Sequence, residues 1–154
     1  MQIDFQDTKA RLFDMLKPGK KMVLATSENG RVTARSMSCI VFDEKIYFQT
    51  DKSFLKYQQI KSNPNVALCY ANVQIEGTAK TAGHPLDAQN SRFAQLFEEQ
   101  YKGSFDAYTH LKNEVVIEVD ILQAVTWNYE GDRPYREFID FIKREAVKEY
   151  YIKE

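Results

Sequence analysis

Arg35 and Lys56 raise the first chemical question in this 154-residue sequence. Arg35 stands in the middle of a small and apolar run, "VTARSMSCIV", where a guanidinium is costly unless it pairs with something. Its planar fork suits a phosphate. Taken alone, though, the residue reads more readily as an exposed arginine or half of a local ion pair. The segment "FQTDKSFLK" shifts that balance. A strand ending in Thr50 and a short helix carrying Lys56 one turn in would supply a hydroxyl, free N–H groups and a cation, which together make an anion site. The plainer alternative makes Thr50 and Ser53 helix caps and leaves Lys52 and Lys56 in water. With Arg35 on the neighbouring strand, the phosphate reading is the better one. Trp127, the sole tryptophan, lies in "AVTWNYEGDRPYR", where a core aromatic in a late strand is the commoner fate. His84 and His110 fall in turn-like contexts without matching Asp, Cys or Ser partners, so no metal site is expected. No residue is an obvious general acid or base, and neither a GxGxxG nor a Walker loop is present.

The elements that must position these residues follow from periodicity and turn chemistry. Phe5, Leu12, Phe13 and Leu16 share one helical face, which Pro18-Gly19 ends. Lys21–Ser27 reads as a strand, Asn29-Gly30 as a tight hairpin turn, and Val32–Val41 as an alternating strand. Asp43-Glu44 turns the chain into Lys45–Thr50. A helix from about Ser53 to Lys61 has Asp51 or Ser53 as its candidate N-cap, and Asn63-Pro64 stops it. Val66–Ala71 and Val73–Ala82 form a second hairpin. Phe93, Leu96, Phe97 and Tyr101 mark another amphipathic helix, closed by Gly103. Val115–Val119 and Ala124–Tyr129 are read as two last strands, and Phe138, Phe141 and Ile142 as a terminal helix. Six or seven antiparallel strands with peripheral helices predict a small closed barrel of Greek-key type, one domain over residues 1–154.

Composition narrows the function classes. Hydrophobic content of 44% with 13% aromatic residues predicts a folded globule. Twenty-one basic against 22 acidic side chains, a formal charge of −1, create no field to attract nucleic acid or an anionic membrane. Cys39 and Cys69 are expected as buried free thiols inside strands, which fits a cytoplasmic location, and no stretch is long enough to span a bilayer.

Taken in order, "MVLATSENGRVTARSMSCIVF", "KIYFQTDKSFLKYQQIKSNPNVALCY" and "VQIEGTAK" resemble the FMN-binding split barrels related to pyridoxamine 5'-phosphate oxidase, most nearly their short general-stress-protein branch. The resemblance covers roughly residues 8 to 130. It implies that Arg35 and Lys56 bind the FMN phosphate, that Thr50 and Ser53 donate hydroxyl contacts, and that Ser36, Met37 and Ser38 run along the isoalloxazine edge. Phe48 and Gln49 would line the flavin's flank. It also implies a homodimer with flavin sites at the interface, where Trp127, Asn72 and, less closely in spacing, Arg136 reach the flavin of the other subunit. The activity implied is that of an FMN-dependent oxidoreductase acting on a small substrate. The alternatives are a non-catalytic flavin-binding or stress-related protein, or a split barrel using haem or a deazaflavin. The C-terminal "FIKREAVKEYYIKE" lacks the Arg-Leu-x-Pro-like signature of the vitamin-forming oxidases, so pyridoxamine phosphate is not the expected substrate.

Overall fold

The computed structural model describes residues 1–152. After a short β1 (Gln2–Ile3), Asp4 caps α1 (Phe5–Leu16) by accepting a 2.8 Å hydrogen bond from the Asp7 N–H. Phe5, Leu12, Phe13 and Leu16 turn inward from that helix, as their spacing predicts. The Asn29-Gly30 turn has positive φ at both residues and joins β2 (Lys21–Glu28) to β3 (Arg31–Ser38). β4 (Ile40–Phe42), the Asp43-Glu44 turn and β5 (Lys45–Asp51) form the next hairpin. Then come α2 (Leu55–Ser62), the hairpin of β6 (Asn65–Tyr70) with β7 (Val73–Thr81), and a segment containing α3 (Ser91–Gln100) and a π-helical turn, Phe105–Thr109. β8 (Glu114–Glu130), β9 (Arg133–Asp140) and β10 (Glu145–Tyr150) complete the described chain.

The strands share one antiparallel sheet in the order β1-β10-β9-β8-β7-β6-β2-β3, with β4 and β5 attached through β5 to β8. Leu24, Phe48, Ile75 and Ile117 belong to the core that this curled sheet encloses. The expected architecture, mainly antiparallel β with peripheral helices, is the observed one, with five corrections. The expected strand 32–41 breaks at Cys39, because β3 stays with β2 while β4 turns to pair with β5. Cys69, expected to be buried, is an exposed free thiol of β6. The barrel is not closed: β3 ends the hydrogen-bonded path, and no ladder joins it to β5. Residues 115–129, expected as two strands, belong to the single 17-residue β8. Its Glu114–Asp120 half pairs with β5 and its Gln123–Glu130 half with β9, the exchange falling where its register against β7 shifts beside Gly77. Last, the expected terminal helix is the β9–β10 hairpin. Asp140 Oδ1 accepts from the N–H groups of Ile142 and Lys143, both at 2.9 Å, and so starts a turn where the Phe138, Phe141 and Ile142 spacing suggested a helix.

Candidate functional site

The split between β3 and β5 is where the site forms. Across the β2–β3 hairpin Thr26 pairs with Thr33, and Arg35 lies two residues further on the Thr33 face. Gln59 of α2, only 1% exposed, ties these elements together. Its Oε1 accepts from Thr26 Oγ1 at 2.5 Å and Thr33 Oγ1 at 2.7 Å, while Nε2 donates to the Arg31 carbonyl at 3.3 Å. The Arg35 guanidinium then donates to Thr26 Oγ1 at 2.8 Å, to the Leu24 carbonyl at 3.3 Å and to Thr33 Oγ1. Every one of these acceptors is neutral.

Lys56 approaches from the first turns of α2. Its Nζ lies 3.4 Å from Thr50 Oγ1 and 4.7 Å from the centre of the Phe54 ring. Burial holds the Lys56 ammonium below its ordinary range, and the neighbouring charge of Arg35 pushes the same way, against Glu114 and Asp51. Burial lowers Arg35 as well. Among the described residues neither cation has an ion-pair partner. Two such cations, close enough to repel, favour an anion between them.

A cavity of about 430 Å³ opens beside Lys56, with Arg35 next to that lysine but not on the cavity wall. Ser36, Met37 and Ser38 line it from β3, Gln49 and Thr50 from β5, and Lys56 from α2. Phe97, Tyr108 and Leu111 form the opposite wall. Gln49 Oε1 accepts a 3.1 Å bond from buried Thr109 Oγ1, which anchors the π-helical turn to β5 and leaves the Gln49 Nε2 without a protein acceptor among the described residues. Phe48, next along β5, points the other way and is completely buried in the core rather than on the cavity wall. Ser53 is exposed and also off the wall: its N–H and hydroxyl both donate to Asp51 Oδ1 at 2.7 Å. That turn precedes α2, whose cap position falls on Phe54 with no side-chain bond, so neither Asp51 nor Ser53 is its N-cap.

Asn72, Trp127 and Arg136 gather on a different surface. Asn72 Nδ2 donates to the Trp127 carbonyl at 2.7 Å, and Trp127 N–H donates to the Asn72 carbonyl at 3.0 Å. Arg136 pairs with Trp127 across the β8–β9 ladder and donates to Glu149 at 3.1 Å, its Nε buried and unpartnered. Trp127 is 37% exposed, and its ring lies 6.3 Å from that of Tyr129 and 6.0 Å from that of Tyr151, beside a cavity of about 760 Å³. One chain therefore brings Arg35, Ser36, Met37, Ser38, Gln49, Thr50 and Lys56 together and holds Asn72, Trp127 and Arg136 apart from them.

Sequence reasoning missed two parts of the site. The Gln59 cluster had a local signal: an Asn29-Gly30 turn sets Thr26 opposite Thr33, and Gln59 is one turn beyond Lys56 on the same helical face. Glu114, 7% exposed, had none, because only the long-range pairing of β5 with β8 sets it opposite Asp51 and into the cavity wall.

A family model described as pyridoxamine 5'-phosphate oxidase matches residues 9–128. No curated protein matches the chain. Among solved structures, General Stress Protein 26 from Bacillus anthracis superposes with a TM-score of 0.62 at 20% identity, covering 87% of this chain and 98% of its own. A pyridoxamine 5'-phosphate oxidase-related, FMN-binding protein from Nostoc punctiforme gives 0.62 at 16% identity, with 96% and 95% covered. HutZ, the haem storage protein of Vibrio cholerae, gives 0.61 at 11% identity, with 77% and 91% covered. At these identities the likeness is one of fold.

Proposed function

The chain belongs to the pyridoxamine 5'-phosphate oxidase family, and from that premise we propose that it is a homodimeric FMN-binding flavoprotein that acts as an oxidoreductase on a small substrate. The observation that carries the reading is the convergence of Arg35 and Lys56, neither paired to a carboxylate among the described residues, beside Thr50. A terminal phosphate fits that pair: a guanidinium fork, an ammonium and a hydroxyl are the donors a phosphate takes. Among cofactors this favours a phosphorylated flavin. Bound FMN would supply the redox chemistry.

The chain's own residues bind, orient and exclude water. Arg35 and Lys56 hold the phosphate, and the Gln59 cluster keeps the Arg35 fork in place by occupying Thr26 and Thr33. Ser36, Ser38 and the free Nε2 of Gln49 offer hydrogen bonds to a polar ring edge, while Met37 and Phe97 give apolar walls. The exposed cluster of Trp127, Tyr129 and Tyr151 supports the dimer, because an aromatic patch of this kind marks a contact surface. A two-fold assembly would present it to the partner's cavity.

The test begins with the absorption spectrum of the purified protein and mass identification of what it releases. FMN should bind more tightly than riboflavin, quench Trp127 emission, and be reduced by a nicotinamide donor faster than free FMN. The assembly should run at roughly twice the 18.0 kDa chain mass. Equal affinity for FMN and riboflavin would defeat the phosphate assignment. Tight FMN binding without reduction by any donor would leave a flavin-binding protein and remove the enzyme.

A further inference from the structure

Glu114 is a buried carboxyl group on the cavity wall that the phosphate reading does not use. It opens β8 and faces Asp51 across the ladder with β5. It is more than nine-tenths buried, its Oε2 is sealed from solvent without a hydrogen-bond partner, and its own N–H is spent on the Leu111 carbonyl. An ionised carboxylate so placed lacks the donors that would replace water. The charged and titratable groups around it are Asp51 on β5, Lys56 on α2, His84 on the segment after β7, and Tyr108 on the π-helical turn across the cavity. Burial and the charge of Asp51 push the Glu114 carboxyl up, while Lys56 and His84 pull it down. Lys56 nevertheless forms no ion pair with it among the described residues.

We propose that Glu114 is held as the neutral carboxylic acid in the ligand-bound site and donates its proton to an oxygen of the ligand's phosphate. The inference rests on the phosphate reading of Arg35 and Lys56. A phosphate seated between those cations engages the Lys56 charge that favours ionised Glu114, and it adds negative charge of its own. A carboxylate facing that group is repelled, whereas a carboxylic acid has an O–H in need of an acceptor and the phosphate has free lone pairs. Binding therefore takes one proton from solvent wherever Glu114 is ionised in the free protein. Glu114 is a binding residue that turns affinity for a phosphorylated ligand into a function of pH, and it does nothing comparable for a ligand without the phosphate.

Calorimetric titration of the purified protein with FMN, repeated in buffers of different ionisation enthalpy, reads the proton uptake. From about pH 7.5 to 9.5 the phosphate is already fully ionised, so its own titration does not contribute. Uptake should be measurable for FMN and absent for riboflavin. FMN affinity should fall up to roughly tenfold per pH unit at the alkaline end. Glu114→Gln keeps a hydrogen-bond donor but cannot titrate, so it should bind FMN with an uptake smaller than the wild type's and no larger than Lys56 alone supplies. FMN binding without proton uptake in the wild type, or uptake unchanged in Glu114→Gln, overturns the inference and leaves the flavin assignment intact. Inorganic phosphate is the second probe. If it binds with the same uptake while FMN does not bind, the flavin assignment falls and the Glu114 inference stands. If neither binds, both fall. Lys56, held below its ordinary range, can also take up a proton when phosphate binds, so where Glu114→Gln fails to fold, Lys56→Arg, which keeps the charge but does not titrate here, isolates the uptake of Glu114.

Discussion

Consider Arg35→Ala. In the free protein the guanidinium makes three hydrogen bonds, to the Leu24 carbonyl, Thr26 Oγ1 and Thr33 Oγ1. Both threonine hydroxyls still donate to Gln59 Oε1 once Arg35 is gone, and Leu24 keeps ladder partners on both sides, so no donor is orphaned. Lys56 is also relieved of a neighbouring like charge. The folding cost should therefore stay near about 1 kcal/mol, the net worth of an ordinary hydrogen bond. The ligand loses a charge-assisted contact worth about 1.5–3 kcal/mol, a fall of roughly 10- to 150-fold in FMN affinity. The assay is flavin fluorescence titration with FMN and riboflavin in parallel, beside a urea melt. Riboflavin affinity should hold within about twofold, and Arg35→Lys should fall between, keeping charge but losing the fork. A matching loss for riboflavin, or an FMN loss below about threefold, would refute the assignment of Arg35 to the phosphate.

Three further outcomes follow from the packing. Gln59→Leu strips the acceptor from Thr26 and Thr33 and the donor from the Arg31 carbonyl, so it should destabilise the fold by about 1–3 kcal/mol, read as a urea midpoint lowered by about 1 M; an unchanged midpoint would show that the cluster is dispensable. Gly77→Ala would drive a Cβ to 2.5 Å from the Asp120 carbonyl and 2.7 Å from Val119 Cγ1 at the β7–β8 register shift; a loss of about 1–3 kcal/mol in a thermal melt is expected. Ligand-free Glu114→Gln probes the raised carboxyl. The native state binds that proton more tightly than the unfolded chain, so the wild-type stability is complete below the unfolded value of about 4.3 and declines as pH rises through the folded one. The variant should melt higher than wild type at pH 8 and converge on it near pH 4, whereas a gap independent of pH would contradict the sign.

What could be read in advance was local. Asn29-Gly30, Asp43-Glu44 and Asn63-Pro64 announce their turns through backbone preferences that no distant contact overrides, whereas the single strand read over 32–41 breaks at Cys39, where its end changes partner from β2 to β5. β8 failed that reading because Asp120 and Gln123 look like a break, when they flank the point at which the strand exchanges β5 for β9. The C-terminal hairpin failed because Phe138, Phe141 and Ile142 match a helical period by coincidence, three residues of strand and turn being decided by the Asp140 side chain. At the site, the chemistry of Arg35 and Lys56 was legible in their types, and Gln49 in its alternation. That same alternation turns Phe48 into the core. Glu114 depends on a pairing 63 positions along the chain from Asp51, for which single-sequence patterns carry no signal.

The length of β8 has a genetic consequence. Glu114 and Trp127 lie at opposite reaches of one strand, and 13 residues of extended chain span roughly 40 Å. If the dimer forms as proposed, each strand serves two flavins, lending its first half to one and its second half to the other. A chain damaged at Arg35 and a chain damaged at Trp127 would then complement each other. In a mixed dimer one site would carry both lesions and the other neither, so random pairing of two co-expressed defective chains should restore about a quarter of the sites. Chains that keep their sites to themselves could not do this in any proportion.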